Sequence, residues 1–146
     1  MPSETFSHTA TTAAPRESVW KALDDPDTWN AIAGVERVHQ PVIDQEGRLR
    51  GFLFDTVEGG IPYEGRATPH AREEGWLMSW NITNSQITGQ IRVELGEAQD
   101  GTLLTVTVDI ASASFLAGMF FGAIAKVVGD GLPETVDTLA ARLGLD

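Results

Sequence analysis

The chain has 146 residues, 42% hydrophobic and 21% charged, proportions that suit one ordinary folded domain spanning residues 1–146. Its 10 basic residues stand against 21 acidic ones, and the formal net charge of −11 argues against nucleic acid and anionic membrane surfaces as partners. Cysteine is absent, which excludes disulfides, a thiol nucleophile and thiolate metal ligands.

Met1-Pro2-Ser3-Glu4 has neither a basic leader nor an apolar core, so no secretory signal is expected and a cytoplasmic location is the default. Thr5–Ala13 alternates and is rich in β-branched threonine, which predicts a strand ending at Ala14-Pro15. Pro15 suits the first turn of a helix over Arg16–Leu23, with Val19, Trp20 and Leu23 on one side. Asp24-Asp25-Pro26 ends that helix and starts a second short one. In it Asp25 is the N-cap, Trp29 and Ile32 are the buried anchors, and Gly34 is the stop.

From Val35 to Ala113 the signals are all strand and turn. Strands are predicted at Val35–Ile43, Arg48–Val57, Pro62–Arg72, Trp76–Thr83, Ile87–Glu97 and Thr102–Ser112. Short glycine- or asparagine-bearing breaks separate them, with Asp100-Gly101 the strongest hairpin signal, and the result is an antiparallel meander. Alternation assigns the faces. Trp76, Met78, Trp80 and Ile82 share one side, as do Ile87, Ile91, Val93 and Leu95, and Leu104, Val106, Val108 and Ile110, each opposite polar residues. Arg48–Val57 is ambiguous, because Phe52 and Phe54 oppose Leu49, Leu53 and Val57.

Ser114–Leu143 carries the longest helical spacing. Leu132, Val136, Leu139, Ala140 and Leu143 form one apolar stripe, whereas Phe115, Leu116, Met119, Phe120, Phe121, Ile124 and Val127 surround the axis and need cover on most sides. Gly129, Gly131 and Pro133 predict a joint: a kink, a short break, or a restart with Pro133 in a first turn. The apolar stretch from Ala113 to Ala125 is 13 residues, short of the ~20 needed for a bilayer span.

The predicted fold is therefore α+β: a curved seven-stranded antiparallel sheet around a long C-terminal helix, with two short helices after the first strand. Ala14-Pro15-Arg16-Glu17-Ser18-Val19-Trp20-Lys21-Ala22-Leu23-Asp24-Asp25-Pro26-Asp27-Thr28-Trp29 resembles the opening of the START-like helix-grip (SRPBCC) superfamily. The shared pattern is Ala-Pro, Val-Trp, Leu, Asp-Pro, Trp, and the element order across the whole chain fits the polyketide cyclase/dehydrase and lipid-transport branch. The resemblance implies a cavity between sheet and helix for a lipid, sterol, polyketide or other hydrophobic molecule. Some members are cyclases, others transfer proteins or co-chaperones. Val19, Trp20 and Leu23 match as packing residues.

Within such a cavity the expected walls are Tyr63, Trp76, Met78, Trp80, Ile91, Val108, Phe115 and Met119, with one or two orienting hydrogen bonds and no cofactor. The alternatives are a cyclase or dehydratase in which His39, Tyr63 or Asp55 moves protons, and an interaction module docking a partner on the apolar helix. A homodimer is left open. Asp55 alternates with Leu53 and Val57 and can point inward, where it would titrate high or pair with Arg50 or Arg66. No metal site is expected: His8, His39 and His70 lack ligand spacing, and a site would have to be assembled from distant strands.

Overall fold

The seven expected strands form within one or two residues of their expected bounds in the computed structural model, which describes residues 2–31, 35–58, 61–114, 116–119 and 121–144. They are β1 (Ser3–Thr12), β2 (Arg37–Ile43), β3 (Leu49–Glu58), β4 (Ile61–Glu73), β5 (Leu77–Thr83), β6 (Ile87–Ala98) and β7 (Gly101–Ser112). Strands β2 to β7 run as a meander and β1 returns to pair with β7, giving one antiparallel sheet in the order β1-β7-β6-β5-β4-β3-β2. Helix α1 (Arg16–Leu23) follows β1, and helix α2 (Phe121–Leu143) lies along β1 and β7. The hairpin at Asp100-Gly101 forms as expected, with Ala98 opposite Gly101. Glycine is required there by proximity: a Cβ would lie 1.9 Å from the Thr12 carbonyl oxygen.

Register fixes which side chains meet. On the concave face a single row runs across four strands, Trp80 opposite Ile91, Ile91 opposite Val108, and Val108 opposite Phe6. The next row is Met78, Val93, Val106 and His8. His8 reaches α2, its Nε2 2.8 Å from Asp137. The ambiguity in β3 resolves in favour of its phenylalanines: Phe52, Phe54 and Thr56 are buried, which turns Leu53 and Asp55 to the outer face. Phe54 fits because Gly65 opposite has no side chain; a Cβ would meet the Phe54 ring at 2.3 Å.

The second short helix is a 3-10 turn, Pro26–Ala31, not an α-helix. Its start is capped as expected, Asp27 N–H donating to Asp25 Oδ1 at 3.0 Å. Trp29 is buried beneath it and donates from Nε1 to the Leu23 carbonyl. Ile32 and Gly34 lie outside the described residues.

Helix α2 buries Leu132, Val136, Leu139, Ala140 and Leu143, the predicted stripe. It differs from expectation at two places. It begins at Phe121, after a 3-10 turn at Ala117–Met119, and it continues through Pro133 without a break. One lost hydrogen bond is tolerated because the turns on both sides are packed against the sheet. Gly129 serves that packing. A Cβ there would fall 2.5 Å from the Phe6 ring, so the missing side chain lets β1 and α2 approach.

A charged network ties α1 to the sheet. Arg72 donates from Nη1 and Nη2 to the two carboxylate oxygens of Asp24, both at 2.9 Å, and from Nε to Glu74. Trp20 Nε1 donates to Glu74 at 3.0 Å. Burial alone would lower the Arg72 guanidinium, but its bonds to Asp24 and Glu74 outweigh burial and hold it above the ordinary value. The Arg72 hydrogen bond holds Glu74 below the usual glutamate range. Because folded Glu74 titrates lower than unfolded Glu74, its contribution is complete above about pH 4.3 and declines as pH falls through the depressed folded value. Melting curves of wild type and Glu74→Gln should differ at neutral pH and converge in acid; a constant gap would show that this pair does not govern acid stability.

Candidate functional site

Between the concave end of β1 and the first half of α2 lies an open groove of about 720 Å³. Phe6 and Phe121 supply its aromatic surface, Gly122, Ala125 and Gly129 give one bare face of α2, and Gly118 in the preceding 3-10 turn closes one end. That face follows from spacing: residues three or four apart stack along a helix, so small side chains at these intervals leave backbone exposed in a line. Glu4, Lys126 and Asp130 make its polar part, Lys126 Nζ lying 3.0 Å from Asp130. At the Gly118 end sits Ser112. It is buried, its Oγ has no partner among the described residues, and it lies 3.6 Å from where a Gly118 Cβ would stand.

The expected wall residues divide. Met78, Trp80, Ile91 and Val108 lie together on the concave face, all in the continuous core. Their row ends at Phe6, inside the groove. Trp80 stands edge-on to Trp29 and Phe52, and its buried Nε1 has no partner among the described residues. Half-buried Tyr63, opposite Thr56, is on the same face farther along the sheet. Trp76 departs from expectation. It precedes β5, is 41% exposed, and carries the Arg16 guanidinium 3.8 Å above its ring. The turn that places it ends the alternation from which its inward position was read. Met119 is 73% exposed in its 3-10 turn, and Phe115 lies outside the described residues.

The candidate proton carriers do not converge. His39 and Asp55, expected to be able to point inward, meet on the outer face. There His39 Nε2 is 3.0 Å from Asp55 Oδ1 and 3.6 Å from Glu64 Oε2, while Arg37 approaches Asp55 Oδ2 at 3.3 Å. Tyr63, one residue before Glu64, points the other way. The expectation of no metal site weighed only the three histidines; the same cluster is a set of side chains that could hold an ion. His39, Asp55 and Glu64 offer three donor atoms all within 4.8 Å of one another. The set escaped sequence reading because its members come from three strands and only one is a histidine. His70 is exposed, as expected, and its Nδ1 lies 2.9 Å from Ser79 Oγ. Of the groove residues, Phe121 and Gly129 stood out in the sequence only as apolar helix surface and as part of a joint, and nothing pointed to Glu4 or Phe6.

Residues 3–144 match the family described as polyketide cyclase / dehydrase and lipid transport. The chain belongs to this family. No curated protein matches it in sequence. Similar solved structures include a START superfamily protein from Mycobacterium smegmatis, 15% identical, covering 92% of this chain and 98% of that one with a TM-score of 0.65. The Zhui aromatase/cyclase from a Streptomyces species is 17% identical, covering 94% and 82%, with a TM-score of 0.62. TTHA0849 from Thermus thermophilus is 13% identical, covering 96% and 97%, with a TM-score of 0.70. At such identities the likeness carries the helix-grip fold and leaves the chemistry to the site. Among the described residues, no helix is long and apolar enough to cross a membrane.

Proposed function

We propose that the chain is one ligand-binding domain, residues 1–146, that holds a hydrophobic small molecule such as a lipid or polyketide between the sheet and α2. The observation that carries this reading is the groove of about 720 Å³ between Phe6 and the bare face of α2, within the ~300–1,000 Å³ typical of small-molecule sites. The aromatic floor supplies burial, worth ~25 cal/mol per Å² of apolar surface removed from water. The overall charge of −11 favours a neutral or cationic ligand over an anionic one. A cyclase or dehydratase draws less support, because His39 and Asp55 face away from the groove and only Tyr63 of the three candidates stands on the concave side.

Gly122 allows a clean test. It lines the groove, and a Cβ there would have nothing within 4 Å. Gly122→Ala should leave stability nearly unchanged, because Gly122 is the second residue of α2 and the interior helix-propensity difference does not apply in full there. Gly122→Phe should keep the fold and fill the groove. Saturable binding of a neutral naphthylamine probe, followed by its fluorescence, should weaken at least tenfold in the Phe variant and little in the Ala variant. Equal probe affinity in a folded Gly122→Phe protein would move the ligand site elsewhere.

A further inference from the structure

We propose that His39 Nε2, Asp55 Oδ1 and Glu64 Oε2 form a cation site on the outer face of the sheet that takes a first-row divalent metal such as Zn²⁺. The site is independent of the groove, which lies on the opposite face. Donors bound tetrahedrally at ~2.0–2.1 Å from one metal are ~3.3 Å apart. The two separations from His39 Nε2, 3.0 Å and 3.6 Å, bracket that edge, and the two carboxylate oxygens lie within 4.8 Å of each other, so a small side-chain adjustment brings all three to one ion. Each comes from a different strand, β2, β3 and β4, and the sheet holds them without loop ordering.

Electrostatics favours a cation there. Asp55 and Glu64 are directly opposite across the β3–β4 ladder, an arrangement of like charges that costs stability unless a positive charge lies between them. Arg37 relieves part of this, but it approaches Oδ2 of Asp55 and leaves Oδ1 to the histidine side. Arg66 shares the face, two residues from Glu64, and its charge works against a bound cation. One imidazole and two carboxylates suit Zn²⁺ and its first-row neighbours better than the all-oxygen shells of Ca²⁺ or Mg²⁺. Glu64 is 60% exposed, so the fourth position opens to solvent. Because β2 is the outermost strand, with register shifts just beyond His39, the cation would also pin the sheet's edge to β3 and β4.

The test uses the untagged, chelator-treated chain titrated with Zn²⁺ by calorimetry and with Co²⁺ by visible absorption. One equivalent should bind, with the intense absorption of four-coordinate Co²⁺ and a rise in melting temperature. His39→Ala and Glu64→Gln should each weaken binding at least tenfold and abolish the thermal shift, whereas His8→Ala, which removes the other His–Asp pair, should change neither. Asp55→Asn provides a near-isosteric third variant should His39→Ala disturb the edge strand. Failure to bind either metal, or binding indifferent to all three substitutions, overturns the site and leaves His39, Asp55 and Glu64 an ion-pair network only.

Discussion

Trp29→Ala should cost about 3–5 kcal/mol of unfolding free energy, the range for deleting a large aromatic from a packed core. The indole is 2% exposed and its centroid lies 6.0 Å from both Phe52 and Trp80, stacked on the first and edge-on to the second. Three costs combine. The ring's transfer term is lost, a cavity opens between rigid aromatics that cannot easily collapse, and the Leu23 carbonyl loses the donor that ties the 3-10 turn to the end of α1. Urea unfolding should show the loss as a lower midpoint at unchanged slope. Trp29→Phe should fall between, recovering most of the packing but not the hydrogen bond. A loss below about 1 kcal/mol in the alanine variant would mean the aromatic cluster repacks and does not anchor the turn.

Arg72→Ala should be nearly as damaging, at about 2–4 kcal/mol. Removing one partner of a buried pair typically costs 3–5 kcal/mol, and limited solvent access here trims that figure. Arg72 and Asp24 side chains are 15% and 16% exposed, and Asp24 Oδ1 also accepts the Leu49 N–H at 3.0 Å. Without Arg72, Asp24 remains as a nearly buried carboxylate at the end of α1, and Trp20 loses the guanidinium 5.1 Å from its ring. Asp24→Asn should cost less, because the amide oxygen can still accept from Leu49. In a double-mutant cycle Arg72→Met with Asp24→Leu should recover part of the single-variant losses, since neither charge is then left alone. Strict additivity would show that the two residues act separately and that the bidentate geometry contributes little.

Much of the fold follows from local chemistry. The alternation of Leu104, Val106, Val108 and Ile110, the glycine-bearing turns and the stripe from Leu132 to Leu143 each specify an element and its buried side, because side-chain period and backbone geometry are coupled. The same logic failed where an element ended. Trp76 continues the spacing of Met78 and Trp80 but belongs to the preceding turn, and there the period of two no longer says which way a ring points. Met119 failed for the same reason, since the α-helix starts later than its apolar spacing suggested.

By itself, then, the sequence determined the seven strands, the long helix and the concave placement of Met78, Trp80, Ile91 and Val108, all consequences of residue spacing within one element. Tertiary structure decided whatever depends on two elements meeting. Strand register set Phe6 at the end of the Trp80 row, and helix packing turned Gly129 from a suspected hinge into the close-approach point over Phe6. The β3 phenylalanines, larger and more apolar than Asp55, took the concave side and forced Asp55 outward to meet His39 and Glu64. Burial of two rings outweighs a local preference of one carboxylate, and that competition is settled only when the sheet closes over its helix.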